Sequence, residues 1–169
     1  SYTIIGGAHA TLLPHDCGGF NYVVGGEGEE QILRILEDGH IGSHGISRIL
    51  NLDRYLPAWH LVPLYRLCSQ ELSPGERYGR GDLAATIIGS RGCPFHCSFC
   101  GNLLRSPVVY RSPSSILGEL KWLRRTYGIT HFRFEDDNIT LNREWIRDVC
   151  LAIRGLDIRW KAHTRSDLE

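Results

Sequence analysis

From residue 84 onward the sequence alternates strand-like and helix-like runs, and no other feature limits the possible fold as strongly. The run "AATIIG" (84–89) reads as a strand. A helical segment opens at Ser112 and Pro113, carries Ile116, Leu117, Leu120, Leu123 and Tyr127 at helical spacing, and stops at Gly128. Serine as N-cap, proline at the first helical position and glycine after the last turn are the start and stop signals expected of such a helix. Then come a strand "THFRFED" (130–136), a helix from Asn142 carrying Trp145, Ile146, Val149 and Ile153, and a strand "DIRWKAH" (157–163). Connections this short predict parallel strands joined by right-handed β-α-β crossovers.

Side-chain parity within these strands sharpens the expectation. Phe132 and Phe134 point to one side, as do Ile158, Trp160 and Ala162. His131, Arg133 and Glu135 point to the other, with Arg159, Lys161 and His163. Parallel strands covered by helices on both faces are apolar throughout, whereas these are apolar on one face only. The ionisable face is then either the lumen of a barrel or the open face of a sheet covered on one side. Crossover helices confined to one side favour the lumen.

Upstream, residues 1–44 read as strand (Tyr2 to Ile5), glycine turn (Gly6, Gly7), an irregular stretch, strand (22–24), a second glycine turn (Gly25, Gly26) and a helix. That helix is expected from about Glu27 to Asp38, with Glu27, Glu29 and Glu30 in its first turn, where the helix dipole favours them. Ile32, Leu33, Ile35 and Leu36 form its apolar face, and Gly39 ends it. Such units belong to an open α/β sheet whose remainder is expected further upstream. Residues 45–82, with Pro57, Pro63, Pro74 and three late glycines, read as a connector anchored by Leu56, Trp59 and Leu64. The expected division is therefore 1–44, 45–82 and 83–169, and the chain reads as a fragment of something longer.

Nineteen basic residues balance nineteen acidic ones, so nothing suggests a nucleic acid or an anionic membrane as partner. No apolar run reaches the roughly 20 residues of a membrane span, and the first residues do not resemble a signal peptide. Six cysteines without a secretion signal favour a reducing compartment, the cytoplasm, where thiols serve metals or chemistry. Cys17, Cys68 and Cys150 are scattered and read as partly buried thiols.

The other three, Cys93, Cys97 and Cys100, fall within "SRGCPFHCSFCGN" (90–102), directly after a strand. Soft thiolates this close together converge on one inorganic centre. Structural zinc would need a fourth ligand, from the poorly placed His96 or from distant cysteines. A ferredoxin-like electron carrier is the other bland reading. A four-iron cluster on three cysteines leaves one iron open for a small molecule.

C-x₃-C-x₂-C after a strand resembles the radical S-adenosylmethionine enzymes, and the resemblance is close from 84 to 168. It implies a [4Fe-4S] cluster on Cys93, Cys97 and Cys100 whose open iron binds S-adenosylmethionine, with reductive cleavage to a 5′-deoxyadenosyl radical. It places Phe99 beside the adenine, Asp136 and Asp137 at the bound amino group, and Arg165 at the carboxylate. The two aspartates also suit an acidic approach to the next helix, and Arg165 also suits a surface arginine. "IIGGAHATLLP" and "NYVVGGEGEEQIL" resemble the cobalamin-binding domain fused to many of these proteins. That likeness implies Gly6, Gly7, His9, Gly25 and Gly26 near a corrinoid, His9 as a turn residue rather than the cobalt ligand. The implied fold is α/β: the C-terminal end of a Rossmann-like cobalamin-binding domain, then the first βα units of a radical-S-adenosylmethionine partial TIM barrel. The implied activity is methyl transfer to, or cyclisation or rearrangement of, an unactivated carbon of a small-molecule substrate. An external one-electron donor such as flavodoxin or ferredoxin would feed it. Radical chemistry without cobalamin, and a non-catalytic iron–sulfur or zinc module, are the alternatives.

Overall fold

The strand–helix alternation folds as the sequence predicts. A computed structural model describes residues 2–38, 46–61 and 84–167. By their contacts the residues group into two units, Leu52–Arg91 with Tyr110–Glu169, and Ser1–Asn51 with Gly92–Val109. The fold is mixed α/β, and its two sheets of known register are parallel.

The N-terminal unit holds β1 (Ile4–Ile5) and β2 (Tyr22–Val23), paired in parallel, with α1 (Ala8–Leu12) between them. Sequence reading left 8–17 irregular, but Thr11 stabilises α1 locally by donating its hydroxyl to the Gly7 carbonyl at 2.7 Å. A 3₁₀ turn, Pro14–Cys17, follows and buries Cys17. Helix α2 runs Glu29–Asp38, two residues shorter at its start than expected. Glu27 is not in its first turn but lies buried before it, because its carboxylate is drawn to Arg48 at 3.0 Å. Gly39 and Leu64 lie outside the described residues, as does Cys68. The apolar stripe of α2 is also less covered than expected: Ile32, Leu33 and Leu36 are exposed. Two strands of two residues each offer little surface for it to pack on.

The larger unit is built on β3 (Ala84–Ile87), followed by the two-residue strands β4 (Ser90–Arg91) and β5 (Val109–Tyr110), then α3 (Pro113–Tyr127), β6 (His131–Phe134), α4 (Arg143–Ile153) and β7 (Arg159–Ala162). Its sheet runs β3-β6-β7, all parallel, so each crossover steps one strand in the same direction. Both helices have the predicted caps. The Ser112 side chain accepts from Ser115 N–H, Gly128 closes α3 in the left-handed region at φ 72°, and Asn142 caps α4 by accepting from Trp145 N–H.

The register verifies the parity argument. Phe132 lies opposite Ala85 and Trp160, and Phe134 lies opposite Ile87 and Ala162. Ala85, Ile87, Phe132 and Phe134 join Ile116, Leu120 and Leu123 of α3 and Trp145, Val149 and Ile153 of α4 in one core, with Ala162 packed against it, whereas Trp160 on the same face stays exposed. Both helices thus cover the same face. Each large side chain buried there contributes about 1.5–3 kcal/mol. The other face carries Thr86, Arg133 and Lys161 in one row, and Arg133 pairs with Glu135 and lies 3.4 Å from His163.

One polar node interrupts this core. Glu119 is buried on the apolar face of α3 and takes an ion pair from Arg111 Nη1 at 2.5 Å. It also accepts from Trp59 Nε1 at 2.6 Å, which holds Trp59 to α3, whereas Leu56 is exposed. Arg111 further donates to the Ile88 carbonyl and Ser115 hydroxyl, both at 3.0 Å, and its own carbonyl accepts from Trp145 Nε1 at 2.7 Å. Removing one partner of a buried pair strands the other charge. We expect Glu119→Ala to destabilise the protein by about 3–5 kcal/mol in urea unfolding, and Glu119→Gln by clearly less.

Candidate functional site

The cysteines stand on a loop that begins one residue after β4. Its residues group with the N-terminal unit, although the chain reaches them from the strand region. None of the three forms a disulfide: Cys93 and Cys97 are half-buried and Cys100 is exposed. A turn brings the Cys100 N–H to the Cys97 carbonyl at 3.0 Å. Phe99, between them, is 90% exposed, so its ring presents an uncovered apolar face. Among the described residues no three His, Cys, Asp or Glu side chains converge on a single ion. A cubane makes a different demand, because each cysteine then ligates a different iron. Three cysteine sulfur donors on one short loop fit that group chemically.

At the C-terminal ends of the strands, the two acidic residues after β6 have separate environments. Asp136 is buried, accepting from Gly89 N–H at 3.0 Å through Oδ2 and from the Ser90 hydroxyl through Oδ1. It therefore ties the end of β6 to the segment that leaves β3 for the cysteine loop. Burial raises its pKa above the ordinary carboxylate value, and the Ser90 and Gly89 donors only partly offset this. Asp137, the next residue, is exposed. Arg165, half-buried after β7, is engaged by Asp167 two residues on, through Nε at 2.8 Å and through a second nitrogen.

The glycine turns have local partners. Gly26 is at φ 76°, and a β-carbon there would lie 2.4 Å from the Ser47 carbonyl oxygen, so only glycine admits the bridge between them. Gly25 accepts from Ser47 N–H at 3.1 Å and from Gln31 at 2.9 Å. Gly6 and Gly7 lead into α1, and Gly7 accepts from the Thr11 hydroxyl whose oxygen in turn accepts from Gly26 N–H at 2.9 Å. His9 is exposed, with Nε2 3.7 Å from Asp16. Cys150 is exposed rather than partly buried, and Cys17 is buried with its thiol 3.8 Å from the Leu13 carbonyl.

Sequence reasoning did not single out Glu119, Arg111, Arg48 or Arg105, and it gave Glu27 only a place in a helix's first turn. For Glu119 the signal was present: it shares a helical face with Ile116, Leu120 and Leu123, and a carboxylate on such a face needs a buried cation. The arginines had no such signal, because many of their partners are backbone carbonyls that no pattern marks.

A cysteine-loop protein on a parallel α/β scaffold is the class these observations define. The chain is 32% identical, over 97% of its length, to an uncharacterised methyltransferase of Pyrococcus horikoshii. It is 33% identical over 70% of its length to the anaerobic magnesium-protoporphyrin IX monomethyl ester cyclase of a Synechocystis species. To the cytidylyl-2-hydroxyethylphosphonate methyltransferase of Streptomyces wedmorensis it is 29% identical over 94% of its length. The chain spans 40%, 23% and 38% of these three relatives. No family model matches, and no solved structure does. Over most of its length the chain is thus similar to proteins named as methyltransferases and cyclases.

Asp136 yields a test of its own. A carboxyl whose folded pKa is raised binds its proton more tightly folded than unfolded. Its contribution to stability therefore falls as pH rises from the ordinary carboxylate range through the raised value. Asp136→Asn, which keeps an acceptor for Gly89 N–H, should fold and flatten that part of the stability–pH curve. Asp136→Ala, leaving two buried donors unmet, should cost about 1–3 kcal/mol in thermal or denaturant unfolding.

Proposed function

We propose that the chain carries the cluster-binding segment of a radical S-adenosylmethionine enzyme of the methyltransferase or cyclase class. Cys93, Cys97 and Cys100 hold a [4Fe-4S] cluster, S-adenosylmethionine binds at its open iron, and cobalamin serves as second cofactor. One observation carries the reading: three cysteines, none in a disulfide, at C-x₃-C-x₂-C spacing on a loop after β4, in a chain similar over nearly all its length to a methyltransferase. When bound, such a cluster supplies the single electron that cleaves the sulfonium and yields the 5′-deoxyadenosyl radical.

The remaining roles fall to this chain's own side chains. Exposed Phe99 offers its ring to the adenine. Asp137 offers a carboxylate to the cationic end of the ligand, while Asp136 fixes the strand end beside it. Arg165 would exchange Asp167 for the ligand's carboxylate. The stepwise parallel order and one-sided helices support a partial barrel, with Arg133, Glu135, Lys161 and His163 facing its lumen. Its closed interior would keep water from the reacting carbon. The domain reading (residues 1–44 as the end of a Rossmann-like cobalamin domain, 45–82 as connector, 83–169 as barrel) belongs to the same proposal. So do corrinoid contacts at Gly6, Gly7, His9, Gly25 and Gly26, an external flavodoxin- or ferredoxin-like donor, a small-molecule substrate and a reducing cytoplasmic setting. Among the described residues no helix is long and apolar enough to cross a membrane.

A second reading, radical chemistry without cobalamin, draws support from the Gly26–Ser47 contact, which accounts for that glycine with no ligand. Corrinoid retained by the complete protein through purification favours the first reading, and its absence under cobalamin-replete growth favours the second. For either, Cys97→Ala in the complete protein should abolish iron–sulfur absorption and deoxyadenosine formation together. Activity surviving that change refutes the cluster assignment.

A further inference from the structure

The cysteine loop is closed at two levels by arginines. At its neck Gly92 enters at φ 104°, where a β-carbon would lie 2.6 Å from the Leu104 carbonyl oxygen and 3.0 Å from Arg48 Nη2. Incoming backbone, returning backbone and guanidinium thus meet at one point. Arg48 Nη2 donates to the Pro107 carbonyl at 2.5 Å, while buried Glu27 holds the same guanidinium and also accepts from Ile49 N–H at 2.5 Å. Within the loop, half-buried Arg105 donates Nη1 to the Phe95 carbonyl and Nη2 to the Cys100 carbonyl at 3.4 Å. Its two acceptors bracket Cys97.

Resting on the reading of this loop as the cluster site, we propose that Arg105 is a positioning residue for the cluster. It pre-closes the segment from Phe95 to Cys100 and fixes a positive charge at the Cys100 carbonyl. Closing a loop before its ligand arrives removes entropy that ligation would otherwise have to overcome. The planar fork of a guanidinium can span two carbonyls, whereas an ammonium offers a point charge. A fixed cation next to an anionic centre favours the state with one more electron, so it raises the reduction potential.

The test compares wild type, Arg105→Ala and Arg105→Lys in the complete protein, reconstituted anaerobically with iron and sulfide. Iron loss to a chelator, the midpoint potential by EPR-monitored titration and the thermal unfolding midpoint are measured on each. Arg105→Ala should lose iron about tenfold faster, the factor expected for one charge-assisted hydrogen bond. Its potential should fall while its unfolding midpoint stays at the wild-type value. Arg105→Lys should retain the wild-type potential and lose iron at an intermediate rate, and it is the decisive variant if the alanine protein does not fold. Wild-type iron loss and potential in both variants overturn the proposal, as does iron loss that only tracks a lowered unfolding midpoint. Those results leave the cluster assignment standing, whereas a wild-type protein that takes up no cluster overturns both.

Discussion

The buried pair between Arg111 and Glu119 governs how the larger unit is assembled. A carboxylate inside an apolar core costs several kcal/mol unless its charge is met and its lone pairs are filled. Here the guanidinium and the Trp59 indole meet those needs, and the same guanidinium reaches the backbone at Ile88. Trp59, the end of β3, α3 and, through Trp145, α4 are therefore tied at one point. Apolar packing alone would tolerate sliding of a helix over the sheet. A fully satisfied ionic node permits one arrangement, at some cost in stability.

A second set of polar contacts shapes the approach to the cysteine loop. Asp136 fixes Gly89 and Ser90, so the backbone leaves the sheet in a set direction two residues before the loop. That duty uses both carboxylate oxygens, and it separates Asp136 from its exposed neighbour Asp137 although sequence reading paired them. Gly26 and Gly92 illustrate a related point. Each admits a backbone segment so close that a methyl group would collide with it. Close approach to another strand of the same chain explains a glycine as well as close approach to a cofactor does.

Much of the larger unit was legible in advance. Ser112, Pro113, Gly128 and Asn142 marked helix ends through local hydrogen bonding, which depends on neighbours in sequence. Parity in "FRF" and "RWKA" told which side chains share a face, because a strand alternates whatever it packs against. The N-terminal unit was less legible. Helix α1 depends on a threonine–glycine bond inside a glycine-rich stretch that reads as irregular, and α2 exposes an apolar stripe that amphipathic spacing would assign to a core.

By itself, then, the sequence determined the order of β3, α3, β6, α4 and β7, the helix caps and apolar faces of that unit, and the three-cysteine loop, since all of these follow from interactions a few residues long. Only the tertiary structure decided that the loop groups with the N-terminal residues, that Glu27 leaves its helix for Arg48, and that Asp136 is committed to Gly89 and Ser90. Those contacts join groups 20 to 60 positions apart, many of them backbone carbonyls and amides that are the same in every residue. No pattern of side chains can encode such partners until the chain has closed around them.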